Sequence, residues 1–294
     1  MLIARLIADP QTLEMRLNAA SDALSAAGLP LAQATMLDFC SDVLELELPG
    51  DDMALLRRVI DAHFSPADAI VAREPIRVPD LFVSDMDSTM IGQECIDELA
   101  DYAGIKDQIA AITERAMQGE LDFESALRER VGLLQGLEEG AIERCLEDRI
   151  RPTPGARVLV ETLKHRGCRT VLVTGGFHHF ADRVGEQIGF ERVVGNRLET
   201  AAGRLTGGLV GGITDSGTKL AILEEERALL GANAVTMAAG DGANDIPMLE
   251  AAHYGIAYFA KPKARAASSG WVDRGDLTSL LRLLGVPQND WVAG

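Results

Sequence analysis

Aromatic residues are scarce in this chain: Phe, Tyr and Trp make up 4% of its 294 residues. So thin a supply excludes the base-stacking platform that single-stranded nucleic acids need. Positive charge is short too. Lys and Arg total 28 against 45 Asp and Glu, a formal net charge of −17. That balance excludes nonspecific attraction to nucleic acid or to an anionic membrane surface. The four cysteines, Cys40, Cys95, Cys145 and Cys168, form no CxxC pair, so neither a zinc site nor a disulfide framework is expected. No apolar run reaches the ~20 residues that span a bilayer. The N-terminal stretch from Met1 to Asp9 is too short and too soon interrupted for a signal peptide. These absences lead to the expectation of a cytoplasmic protein with reduced, buried thiols. Hydrophobic residues make up 47%, enough for a full core.

The pattern along the chain divides it in two. Residues 1–76 read as a small α+β unit in the order βαββαβ, a ferredoxin-like arrangement. Its strands are expected at Leu2–Ile7, Ala34–Asp38, Asp42–Leu48 and Ala69–Ala72, its helices at Pro10–Ala26 and Asp51–His63. The stretch Arg73–Asp80 carries two prolines and suits a connector. Residues 77–294 read as a doubly wound parallel α/β sheet. Strands are expected at Leu81–Ser84, Thr170–Thr174, Ala234–Ala239 and Gly255–Tyr258. Between the first two, about residues 92–150, the chain is almost wholly helical. A sheet crossover needs one helix, so the excess predicts an inserted helical cap. The Gly- and Thr-rich segment from Val193 to Ile213 suits a β-hairpin.

Four segments carry chemistry. Asp85-Met-Asp87 directly follows the first core strand, where open α/β sheets bind ligands. Asp85 there can attack phosphorus and ligate a divalent cation, and Asp87 can exchange a proton with the ester oxygen. Val173-Thr174-Gly175-Gly176 follows the second, where a hydroxyl and free N–H groups can cradle an anion. Lys219 opens a helix and can reach a phosphoryl oxygen. Gly240-Asp241-Gly-Ala-Asn244-Asp245 follows the third strand, with oxygen ligands suited to Mg²⁺. The cation's ligands are expected to be Asp85, Asp87 and Asp241, with Asn244 on substrate or metal-bound water and Asp245 behind them. An isolated Asp-x-Asp is more often a turn; here the four segments act as a set. His63, His165 and His253 stand alone, His178-His179 suits no metal pair, Trp271 and Trp291 suit packing, and Glu224-Glu225-Glu226 suits a solvated helix face.

Together and in this order the four segments resemble the haloacid dehalogenase superfamily of phosphotransferases, over roughly residues 80–260. Within it, the run from Asp85 through Glu94 into the cap is similar to the first motif of the phosphoserine phosphatase family. That resemblance implies a Mg²⁺-dependent enzyme hydrolysing O-phosphoserine, the last step of serine biosynthesis, through a phosphorylated Asp85. It also implies that Glu94 binds the substrate's ammonium and Arg130 its carboxylate, with Met117 and Phe123 as apolar cap surface. One departure is Thr174, where the family usually has serine; the hydroxyl survives. Two alternatives stay open: another small phosphate ester such as phosphohomoserine as substrate, or an inactive amino-acid-binding regulator. The N-terminal unit loosely resembles ACT-like regulatory domains, which leaves both an amino-acid sensor and a homodimerising module open.

Overall fold

The computed structural model describes residues 1–40, 42–117 and 120–293, apart from the side chain of Met117. The first six elements are β1 (Leu2–Ile7), α1 (Leu13–Ala26), β2 (Gln33–Met36), β3 (Leu44–Leu48), α2 (Met53–Phe64) and β4 (Asp68–Ala72). In β3 the period-two pattern of Leu44-Glu-Leu-Glu-Leu48 buries every leucine on one face. Helix α2 is started by Asp52, whose carboxylate accepts the N–H of Leu55 at 2.9 Å. Its apolar stripe, Leu56, Val59, Ile60 and Phe64, is buried. The strands pair antiparallel in the order β2-β3-β1-β4.

The rest of the chain adds β5 (Leu81–Ser84), then four cap helices: α3 (Cys95–Tyr102), α4 (Lys106–Met117), α5 (Phe123–Gly132) and α6 (Gly140–Arg149). Next come α7 (Ala156–His165), β6 (Arg169–Phe177), α8 (His178–Ile188), the hairpin β7 (Arg192–Ala201) and β8 (Arg204–Val210), and α9 (Ser216–Leu230). The last elements are β9 (Thr236–Gly240), α10 (Ile246–Ala251), β10 (Tyr254–Tyr258), α11 (Pro262–Ala267), β11 (Gly270–Val272) and α12 (Thr278–Leu283). β11, β10, β9, β5, β6 and β7 run parallel in that spatial order. Residues of β5 are all buried, as a strand covered on both faces must be. The chain leaves β5 towards β6 on one side and later fills the other side with β9. The C-terminal end of β5 is therefore the topological switch point, where such sheets bind ligands.

Several features depart from the sequence reading. The two sheets are one. β4 pairs antiparallel with β11 through Ala69↔Trp271 and Ile70↔Gly270, giving eleven continuous strands. Trp271 is thus a buried strand residue of that seam, with the Arg265 guanidinium 3.7 Å from its ring centre. Strand β6 does not end at Thr174. It runs to Phe177 with a register irregularity after Val173, so the expected turn is a bulge. Glu226 is not solvated: it is 3% exposed and pairs with Arg169 (3.1 Å) and Arg192 (2.6 Å). The hairpin props the cap, with Gly136 N–H donating to the Leu205 carbonyl and Leu205 N–H to that of Leu137. Among the described residues no helix is long and apolar enough to cross a membrane.

Candidate active site

Asp85 prolongs β5 by donating its N–H to the Ala239 carbonyl at 2.9 Å. This fixes its carboxylate at the switch point. Its Oδ1 accepts the Met86 N–H at 2.8 Å and faces Lys219 Nζ at 2.8 Å. Among the described residues, Oδ2 takes no donor. Lys219 stands in the first turn of α9, which Asp215 caps by accepting the Thr218 N–H. Its ammonium is fully buried and also donates to Asp245 Oδ1 at 2.6 Å. Asp245 spends its other oxygen on the N–H groups of Asp241 (3.2 Å) and Gly242 (3.0 Å). The loop after β9 can close this tightly because residue 240 is glycine: a Cβ there would lie 2.4 Å from Asp245 Cγ. Burial, and then the charge of Asp245, hold the Asp85 carboxyl well above its usual pKa, against the pull of Lys219. Burial alone would lower the Lys219 pKa, but Asp85 and Asp245 more than offset it and the net shift is upward.

Asp87 is half-buried, and its Oδ1 accepts the Cys95 N–H at the start of α3 (3.1 Å). Desolvation, then the charge of Glu94, push it up to about 7, where a carboxyl can both give and take a proton near neutrality. The bulge of β6 faces it. Thr174 Oγ1 accepts the Gly176 N–H at 2.9 Å. A Cβ on Gly176 would come within 2.9 Å of Asp87 Oδ2, so any larger residue there would have to push the carboxylate aside. Asn196 pins the bulge, donating to the Gly175 carbonyl at 2.7 Å while accepting the Thr214 N–H at 2.8 Å.

A cavity of about 450 Å³ opens between these groups and the cap. Asp85, Asp87, Thr174, Gly175, Asp241 and Asn244 line it from the core, and Glu94, Phe123 and Arg130 from the cap side. The Phe123 ring leans over Gly175, its Cζ 3.3 Å from where a Cβ would be. Glu94 accepts the Ser88 hydroxyl at 2.8 Å, and Ser88 holds a positive φ of 53° to deliver it. Arg130 Nε donates to the Ala126 carbonyl of its own helix (3.3 Å), and the guanidinium has no ion pair among the described residues. Burial lowers the Arg130 pKa against the pull of Asp97 and Glu94. All the expected site residues therefore gather here, Lys219 just behind the wall, except Met117, whose side chain lies outside the described residues. Sequence reasoning missed Ser88, Asn196 and Lys261. Lys261 Nζ lies 3.3 Å from Asp241 Oδ2 and lines the same cavity; its position just past a core strand was the available signal.

The donor set fits a hard divalent cation. Oxygens of Asp85, Asp241 and Asp245 lie within 4.8 Å of one another. Burial raises the Asp241 pKa, with Lys261 opposing and Asp245 reinforcing the shift, so these carboxylates are short of positive charge. The gathered trio differs from the expected one. Asp245 closes this side-chain trio, while the Asp87 carboxylate, which lines the cavity, accepts the Cys95 N–H. Asp85 and Asp241 line the cavity and Asp245 does not, so Asp85 and Asp241 are the carboxylates that a cation in the cavity would meet.

A family profile described as haloacid dehalogenase-like hydrolase matches residues 82–250. The chain belongs to the haloacid dehalogenase-like hydrolase family. It is 44% identical over 208 residues to a phosphoserine phosphatase of Archaeoglobus fulgidus, across 70% of this chain and 60% of that protein. The chain thus spans less than two thirds of that relative's length. It is 43% identical over 217 residues to a phosphoserine phosphatase of Albidiferax ferrireducens, across 71% of this chain and 92% of that one. A solved structure of a probable phosphoserine phosphatase from Vibrio cholerae superposes with a TM-score of 0.75 at 30% identity, covering 98% of this chain and 88% of that one. That match takes in the N-terminal unit as well as the haloacid dehalogenase-like core.

Proposed function

We propose that this chain is a Mg²⁺-dependent phosphoserine phosphatase, converting O-phosphoserine and water to serine and phosphate by way of a phosphoaspartate on Asp85. The observation that carries the reading is the pairing of a nucleophile with a zwitterion-binding wall. Asp85 has one oxygen anchored and the other without a donor among the described residues, in a cavity whose opposite side offers the carboxylate of Glu94 and the guanidinium of Arg130, which has no ion pair among those residues. Asp85 Oδ2 attacks phosphorus while Oδ1 stays fixed by Met86 N–H and Lys219. The Thr174 hydroxyl and the neighbouring N–H groups of the bulge take phosphoryl oxygens. Asp87, protonated, gives its proton to the departing serine oxygen. Serine leaves, and Asp87 then removes a proton from the water that cleaves the phosphoaspartate. Bound at Asp85 and Asp241, Mg²⁺ would neutralise negative charge on the phosphoryl group. Glu94 receives the substrate's ammonium, Arg130 clamps its carboxylate, and Phe123 with the cap keeps bulk water out.

The proposal extends to organisation. Residues 77–294 form the phosphatase unit with its cap at about 92–150, and residues 1–76 an ACT-like unit. The exposed end strand β2 suits that unit to pairing with a second copy, and the four free, buried cysteines suit the cytoplasm. Substitution Arg130→Ala tests the substrate. Losing a charge-assisted contact of about 1.5–3 kcal/mol should raise KM for O-phosphoserine roughly 10- to 150-fold. Phosphoethanolamine, which has the amine but no carboxylate, should be hydrolysed as before. An equal loss on both esters would reject the carboxylate clamp.

A further inference from the structure

A second cavity, of about 500 Å³, lies between the N-terminal unit and the core and shares no lining residue with the first. Three arginines converge on it: Arg57 from α2, and Arg73 and Arg77 from the connector. Arg57 has no carboxylate partner among the described residues. Its two terminal nitrogens donate to the carbonyls of Ala266 (2.9 Å) and Arg265 (2.8 Å), and its buried Nε meets no acceptor. Arg73 is exposed and, among the described residues, donates only to a carbonyl, that of Asp51 at 3.2 Å. Arg77 alone is ion-paired, with Asp80 at 2.8 Å. His253 Nδ1 accepts the Thr236 N–H at 3.1 Å, so the neutral ring keeps its proton on Nε2 as a further donor. The acids on the wall, Glu74 and Glu250, are exposed and pair with none of the three arginines. With Asp80 already meeting Arg77, these two charges balance those of Arg57 and Arg73, so an anion here is held by direct contacts and not by net charge. The remaining lining includes Met53, Val235 and Leu249, so the space is partly apolar. Cavities of this size at a junction between units are where proteins bind small molecules.

We propose that this cavity binds a small organic anion, held through its carboxylate or phosphate by Arg57, Arg73 and Arg77. An oxyanion there offers a further acceptor to the exposed Arg73 and Arg77 beside Arg57, and its carbon skeleton meets the apolar wall. The site is separate from the phosphoryl-transfer cavity, and the inference stands whether or not the substrate proposed above is correct. Strand β9 joins the two places. It starts beside Val235 on the second cavity and ends at Gly240, next to Asp241.

The test is calorimetric titration of the full chain with two probes, succinate and inorganic phosphate. It is run on the wild type, on Arg73→Gln/Arg77→Gln, and on Ala252→Trp, which fills the space. Binding of at least one probe is expected, weakened about tenfold or more in either variant that melts as the wild type does. Succinate alone would assign a carboxylate ligand. A phosphate site sensitive to these substitutions would assign a phosphate ligand, because phosphate held at Asp85 would ignore them. The proposal is overturned if the wild type binds neither probe at millimolar concentration, or if both variants bind as the wild type does.

Discussion

Replacing Lys219 by Met removes the only cation, among the described residues, in contact with two buried carboxylates, Asp85 at 2.8 Å and Asp245 at 2.6 Å. Methionine nearly conserves shape, so the effect is electrostatic. Breaking a buried pair by deleting one partner costs about 3–5 kcal/mol. With an unfolding entropy of roughly 2.1 cal/mol/K per residue, 294 residues lose about 1.6 °C of Tm per kcal/mol. The variant should therefore melt about 5–8 °C below the wild type at pH 8 in chelator. The deficit should also depend on pH. Lys219 pulls the Asp85 pKa down, so its loss sends a carboxyl already above its usual value higher still. The folded variant then holds a proton that its unfolded chain releases, and lowering the pH stabilises the fold relative to that chain. Melting curves at pH 8 and pH 5.5 check this: the gap from the wild type should narrow at the lower pH. A Tm within about 1 °C of wild type at pH 8, or a gap that widens on acidification, would refute the electrostatic account. Added Mg²⁺ should restore part of the lost stability through the same carboxylates.

The other predictions concern single groups. Asp85→Asn should leave a folded protein without turnover, and beryllofluoride should fail to attach at residue 85; near-normal rates would remove Asp85 as nucleophile. Ser88→Ala frees the Glu94 carboxylate from its 2.8 Å hydrogen bond. It should raise KM for O-phosphoserine several-fold and leave the same ester without its amine unaffected, a loss of about 1 kcal/mol of positioning. Ser88→Gly should give the same KM while relieving the positive φ, which separates the hydroxyl's part from the backbone's.

What the sequence made legible has a common cause. Asp85, Thr174 and Asp241 each stand just past a β-branched or apolar run, and the parallel topology gathers such positions at one edge of a sheet. The cap was visible because four helical periods cannot all be one crossover. What stayed hidden depends on partners far away in sequence. The three residues of β11 carry too little pattern to announce a strand, and nothing local to β4 says that its free edge will find them. Glu226 sits in a run of three glutamates. Its burial comes from Arg169 and Arg192, which arrive on β6 and β7. Glycines mark turns and bulges alike, so the segment at Thr174 reads as a turn, and only the pairing of Phe177 with Asn196 distinguishes the two. The contact between the Asp87 carboxylate and the Cys95 N–H is likewise hidden, because it depends on how the chain enters the cap.

The weld between β4 and β11 makes the boundary near residue 76 a division of pattern and not of mechanics. Cutting the chain there would strip β11 of its neighbour and lay open Trp271 and Ala257, which pack in the same apolar cluster as Leu2, Leu46 and Phe64. The raw edge and bare indole would invite sticking between copies, so the catalytic half is expected to be poorly soluble when made alone. A pulling force on the leading seventy residues would load the same ribbon of hydrogen bonds that carries the nucleophile.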